Sequence, residues 1–187
     1  MRLIKMLVVT SLAIAMASCA KVPQAAVDAA KAALDAAVKA EAPVYAADAF
    51  AKADGLVKSM DADIAAKSYK NVASLAAQAA DAAKQAAEAA VAGKAQVQAD
   101  VAKMVPEVEK GLKDADARIK QVATVRGIKL DIPQLKAQLE AGRKSLEDAK
   151  ADATAARFMD SRNKLQAIRD ALAAAAKAID EAMKARK

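Results

Sequence analysis

From residue 20 onward, apolar side chains return every three or four positions along the chain. That is the rhythm of amphipathic helices, not the every-second-residue rhythm of strands. A first stripe carries Val27, Leu34 and Val38. A second carries Phe50, Ala53, Leu56 and Val57, and a third Val72, Leu75, Ala79, Ala82 and Ala86. The clearest runs Val97, Val101, Met104, Val108, Leu112, Ile119 and Val122. Two more follow: Leu135, Leu139, Gly142, Leu146 and Ala149, then Phe158, Leu165, Ile168, Leu172, Ala176, Ile179 and Met183.

Punctuation between the stripes predicts where helices begin and end. Pro23 suits a first helical turn, where its missing N–H costs nothing. Pro43 closes the first helix near Ala40 and opens the next, to about Met60. Asp61-Ala62-Asp63 reads as a turn with N-cap carboxylates, and a long helix is expected from Ile64. Gly93 weakens that helix without stopping it. Pro106 falls inside the best stripe and should kink the helix or start a new one. Arg126-Gly127 ends the arm, with Gly127 as a left-handed cap. Asp131-Ile132-Pro133 opens the next helix, and a turn at Ala151 to Ala153 precedes the last.

Alanine dominates the chain around these stripes and supplies some of their positions. Alanine is the strongest intrinsic helix former but buries little area, at ~25 cal/mol per Å². Such helices pack close, and stripes stepping by three and four need a facing helix of the same rhythm. Short turns make the antiparallel neighbour that partner. The fold class expected is therefore all-α: elongated antiparallel helical hairpins forming a coiled-coil-like bundle.

Sliding the chain over itself by ninety residues brings Pro43 onto Pro133, Leu56 onto Leu146, and Leu75 onto Leu165. It also lays Ala65-Ala66-Lys67 on Ala155-Ala156-Arg157. This suggests two tandem hairpin repeats. The organisation expected is residues 1–18 as a leader, 19–41 as tether and first helix, and 42–92 as the first hairpin repeat. A connecting helix and loop at 93–131 and a second hairpin repeat at 132–187 complete it.

The first nineteen residues break the pattern. Arg2 and Lys5 precede an apolar run from Met6 to Ala17, softened only by Thr10 and Ser11. The run falls short of the ~20 residues that span a bilayer and fits the apolar region of a signal peptide. It closes on Met16-Ala17-Ser18-Cys19, and Cys19 is the only cysteine in the chain. This resembles the bacterial lipobox, with Met16 where leucine is usual. An ordinary secretory signal beside a chance cysteine is the competing reading. The resemblance implies cleavage before Cys19, a thioether diacylglycerol on its sulfur and an acylated amine, palmitate being the usual acyl chain. With Ala20 next and no Asp there, it further implies the periplasmic face of the outer membrane of a Gram-negative cell.

Charge and composition narrow the chemistry. The net charge of +7 falls by two with Arg2 and Lys5, and acids and bases are interleaved along the remainder. With two Phe, two Tyr and no Trp, the chain lacks stacking platforms, so no nucleic-acid partner is expected. There is no His, and a lipidated Cys19 leaves no free thiol. That removes Cys/His zinc sites, His-based catalysis and disulfides. No catalytic, cofactor or metal residue is expected. The pairs Asp61/Asp63 and Glu107/Glu109 read as helix-end charge rather than ligands. Tyr45, Phe50, Tyr69 and Phe158 read as the few bulky plugs of a thin core, with Met104, Met159 and Met183 filling gaps.

Two further resemblances bear on function. Ala-Pro, a spaced Ala/Leu helix, an acidic turn, and then Lys67-Ser68-Tyr69 opening a second Ala-rich arm are similar to an uncharacterised family of helical-hairpin lipoproteins in bacterial envelopes. The likeness covers about 42–90 well and 132–180 weakly, and brings no catalytic residues with it. The ending Lys184-Ala185-Arg186-Lys187 resembles the murein lipoprotein, which makes Lys187 a candidate for peptidoglycan attachment. The plainer reading is that basic residues complement the negative end of a helix. The expected function is that of a lipid-anchored, non-enzymatic structural or interaction protein, a tether or spacer toward the cell wall or envelope proteins. The alternative is an amphipathic helical module that binds lipid or partner helices, and self-association is open to either.

Overall fold

The structure is a computed structural model, described here for residues 21–185. The leader, Cys19 and Lys187 lie outside the described residues, so the expectations placed on them have no structural counterpart. The described chain is an all-α bundle of six helices, with no strand among the described residues. They are α1 (Gln24–Lys39), α2 (Ala42–Tyr45), α3 (Ala47–Ala65), α4 (Val72–Ala123), α5 (Ile132–Thr154) and α6 (Phe158–Lys184).

One helix carries the others. The 52 residues of α4 extend about 78 Å at ~1.5 Å per residue. Along its first half lie α1 and α3. Val27 clusters with Val72, Ala76 and Ala79, while Ala37 clusters with Ala86 and Ala90. Hence α1 runs parallel to α4. Met60 joins the Val72 end and Phe50 the Ala90 end, so α3 runs antiparallel. Along the second half, Arg143 pairs with Asp116 and Lys150 with Glu109, which sets α5 antiparallel. Met104 shares a groove with Arg162 and Asn163 while Arg118 pairs with Asp180, so α6 runs parallel. Two three-helix bundles thus share one spine, each with its middle helix reversed.

The sequence pattern anticipates the second bundle closely. Every member of the stripe from Val97 to Val122 is buried, as are Leu135, Leu139, Leu146, Ala149, Leu165, Ile168 and Ile179. The α5 start also agrees. Asp131 is the N-cap, its carboxylate accepts from the Gln134 amide at 2.9 Å, and a proline stands in the first turn. Gly127 has a φ of 77°.

Elsewhere the structure corrects the reading. Asp61-Ala62-Asp63 is not a turn: α3 runs on to Ala65, and α4 starts at Val72. The α4 N-cap is Asn71, with no side-chain cap bond. The reversal lies at Ala66 to Asn71 and ends α3 with a Schellman motif. Ser68 N–H donates to the Asp63 carbonyl and Lys67 N–H to that of Ile64, with Lys67 at φ 55°. The α5–α6 turn, expected at Ala151 to Ala153, is also later. There Arg157 N–H donates to the Asp152 carbonyl and Ala156 N–H to that of Ala153, with Ala156 at φ 60°. Lys67 and Ala156 stand 89 residues apart, one fewer than the ninety-residue slide. Both left-handed positions lack the glycine that would have marked them.

Pro106 neither breaks nor restarts α4, which runs through it. Its side is exposed, so the ring and the carbonyl it leaves unbonded face water. In α1 the buried stripe is Val27, Ala30 and Ala37, while Val38 is 49% exposed. Met183, expected to fill a gap, is also exposed.

Candidate functional site

The place where the two bundles meet on α4 concentrates the unusual chemistry. As α1 ends, Glu41 takes a left-handed conformation at φ 61°, which costs a non-glycine residue of order 1–2 kcal/mol. The single turn α2 follows with Pro43 at its start, and Ala46, at φ −145° and ψ 48°, returns the chain into α3. Ala42 is fully buried beside Ala37, Ala86 and Ala90, in a cluster made of alanines alone. Tyr45 packs against this cluster and also against the large aliphatic core of the second bundle.

Gly93 makes that contact possible. A Cβ at Gly93 would lie 2.4 Å from the Tyr45 carbonyl oxygen. Only hydrogen fits there. Sequence reading gave this glycine a weakening role in α4, whereas in the fold it admits the α2 backbone. The next residue, Lys94, donates from Nζ to the Glu41 carboxylate, and its Nζ lies 5.6 Å from the centre of the Tyr45 ring. The hydrogen bond it donates to Glu41 raises the Lys94 pKa. The ring face adds a cation–π attraction. Backbone fit, ion pair and ring together fasten α2 to the spine.

A second polar cluster closes the α5–α6 turn. Asp152 is buried, at 4% exposure. Its Oδ1 accepts from Arg157, with Nε at 3.0 Å, and its Oδ2 accepts from Lys164. The Lys164 bond, then that of Arg157, holds the Asp152 carboxyl below the usual carboxylate range. Ser161, on the first turn of α6, is fully buried, and its Oγ has no partner among the described residues. The cluster's chemistry is that of an ion clasp.

The carboxylate pairs singled out in the sequence are not brought together as sites. Asp61 pairs with Lys31 of α1 at 2.9 Å. Glu109 pairs with Lys150 of α5 at 2.6 Å, and that hydrogen bond lowers its pKa. Both sit inside helices and join neighbours, so the helix-end role expected of them is replaced by inter-helix pairing. No group of three or more His, Cys, Asp or Glu among the described residues is placed to hold a metal. Tyr45, Phe50, Tyr69 and Phe158 are half-buried against the clusters.

The Gly93–Tyr45–Lys94–Glu41 joint and the Asp152 clasp were missed from sequence. The first left one signal, a glycine in an otherwise continuous helical stretch. The second left none, because an Asp among Lys and Arg looks like any solvated face. The arrangement defines a class: an all-α protein of two short bundles strung on one spine. In comparisons with known proteins the chain matches no family model, no curated protein and no solved structure.

Proposed function

We propose that this chain is a lipid-anchored structural protein of a bacterial envelope, held through Cys19 on the periplasmic face of the outer membrane and working without catalysis. Its helical arm acts as a tether or spacer toward the cell wall or envelope proteins. The observation that carries the reading is a pairing of features. A lipobox-like leader precedes a chain in which a single 52-residue helix runs through both bundles. No helix among the described residues is long and apolar enough to cross a membrane, so a lipid on Cys19 would supply the attachment. Two or more acyl chains give stable anchoring where one does not. Labelling cells with radioactive palmitate tests this. Wild type should carry label and sediment with outer membranes, and Cys19→Ser should lose both. Unlabelled wild-type protein would overturn the anchor. Loss of wall-bound protein on deletion of Lys187 would assign that residue to covalent attachment.

The amphipathic-module reading is favoured by one observation. Val38, Val44 and Val91, at the end of α1, in α2 and on α4, are 49%, 51% and 65% exposed. Circular dichroism of the unlipidated protein with and without anionic vesicles separates the two. A spacer keeps its helix content and stays unbound, whereas an exchangeable binder gains helix or floats with the vesicles.

A further inference from the structure

Opposed charges line the seam between α4 and α6 at a constant offset of sixty-two residues. Arg118 and Asp180 have that spacing and form an ion pair. Asp100 and Arg162 have it too, as do Glu107 and Arg169, yet neither pair forms a salt bridge. At Gly111 there is no side chain to hold α6 off, and Leu172 Cδ1 lies 3.0 Å from where a Cβ would be. The cavity there is about 140 Å³. Toward the joint the seam is floored by Met104 and opens into a groove of about 530 Å³. Asp100, Lys103 and Glu107 line one wall, and Arg162, Asn163, Gln166 and Arg169 the other. Among these, Asp100 accepts from Gln96 and Gln166 donates to Asp170. The three cations have no ion-pair partner among the described residues.

We propose that this groove is a binding site for a short zwitterionic peptide. The inference rests on the wall-facing reading above and names where the wall is gripped. Arg162 and Arg169 are seven residues apart on one helix, about 10 Å along its axis. Guanidinium forks hold carboxylates by paired hydrogen bonds. The two groups therefore suit two free carboxylates at that separation. Asp100 and Glu107 repeat the spacing on the facing helix, and each suits a free amine. A purely acidic ligand would be repelled by those carboxylates, and a purely basic one by the arginines. Met104 gives an aliphatic floor for the ligand's carbon chain. Stem peptides of the cell wall, with several free carboxylates and a free amine on an aliphatic chain, belong to this class.

The test uses the full mature chain without lipid and a synthetic stem tetrapeptide of alanine, glutamate, diaminopimelate and alanine, followed by calorimetry or NMR shifts. Wild type should bind, and blocking the peptide's carboxylates as amides should abolish binding. The Arg162→Gln/Arg169→Gln variant should bind at least about tenfold more weakly, as loss of charge-assisted bonds implies. Glu107→Gln should weaken the amine-bearing peptide but leave an acetylated one unchanged. Circular dichroism confirms that each variant is folded, since these side chains are at the surface. Absence of binding at millimolar peptide, or equal binding by the double Arg variant, overturns the proposal. So does a doubling of mass that the Arg variant abolishes, which would give the groove to a second copy. Co-sedimentation with purified wall sacculi is measured in parallel. Sacculus binding without tetrapeptide binding removes the groove and leaves the spacer reading standing, while failure of both removes both.

Discussion

Gly93→Ala measures how tightly the two bundles are fastened. In an ordinary helix interior the change is favourable, because alanine exceeds glycine by about 1 kcal/mol. Here the new Cβ would stand 2.4 Å from the Tyr45 carbonyl oxygen and 3.3 Å from its carbon. The obstacle is main chain, not a flexible side-chain tip, so α2 itself must withdraw. Withdrawal lifts Ala42 from its alanine cluster, loosens Tyr45 from both cores and strains the Lys94–Glu41 pair. Overpacking of this kind costs about 1–3 kcal/mol. Set against the propensity gain, the net loss is up to about 2 kcal/mol, or up to roughly 8 °C in melting temperature for a chain of this size. Gly55→Ala is the internal control. Gly55 also lies inside a helix, but nothing stands within 4 Å of its would-be Cβ. That variant should gain about 0.5–1 kcal/mol from propensity alone. Thermal melts of the unlipidated mature protein by far-ultraviolet circular dichroism give both values. Opposite signs are expected. If both variants melt higher than wild type, Tyr45 does not press on Gly93 and the joint described above is wrong.

Three other outcomes follow from the backbone and the clasp. Pro106→Ala restores an amide that can bond the Ala102 carbonyl on an exposed face. Urea unfolding should show a gain of about 1–3 kcal/mol, and a loss would mean that α5 and α6 need a bend at that point. Ala156→Gly relieves a left-handed alanine at φ 60° and should add about 0.5–1 kcal/mol by the same assay. For Asp152 the folded pKa lies below the ordinary carboxylate value because Lys164 and Arg157 bind the charged form. Its contribution is present above the unfolded pKa of about 4 and is lost as pH falls through the folded value. Asp152→Asn should therefore melt below wild type at neutral pH, and the gap should narrow as pH falls below about 4. A constant gap would remove the ion clasp as its cause.

How much of this fold was legible depended on what each stripe is made of. Where α4 carries Val, Met, Leu and Ile, size alone separates inside from outside, and all seven positions from Val97 to Val122 are buried as the spacing requires. In the first bundle most buried positions are alanine, so rotating a helix by one residue barely changes its apparent pattern. That is why Val38 was placed on the stripe while Ala30 and Ala37, fully buried, were passed over. The turns were missed for a related reason. Their left-handed residues are Lys67 and Ala156, which carry no mark of such a conformation, so the acidic residues four to six positions earlier drew the boundary instead. Pro106 starts no new helix, because its cost is local while the packing of α5 and α6 holds α4 on both sides of it.

The same contrast accounts for the joint. Alanine layers bring helix axes toward the near end of the usual ~8–10 Å spacing, and layers of Leu, Ile and Val hold them toward the far end. A helix that serves both kinds of bundle must change spacing somewhere along its length. On α4 the last alanine of the close-packed kind is Ala90 and the first large member of the other kind is Val97. Gly93 and Lys94 fall between them. A glycine there lets one backbone approach at the narrow side, and a tyrosine touching both cores fills the step to the wide side. An alanine at position 45 would leave that step hollow, and a side chain at position 93 would push the narrow bundle open. The two residues are thus one device, required by the change in side-chain size along a helix that does not itself break.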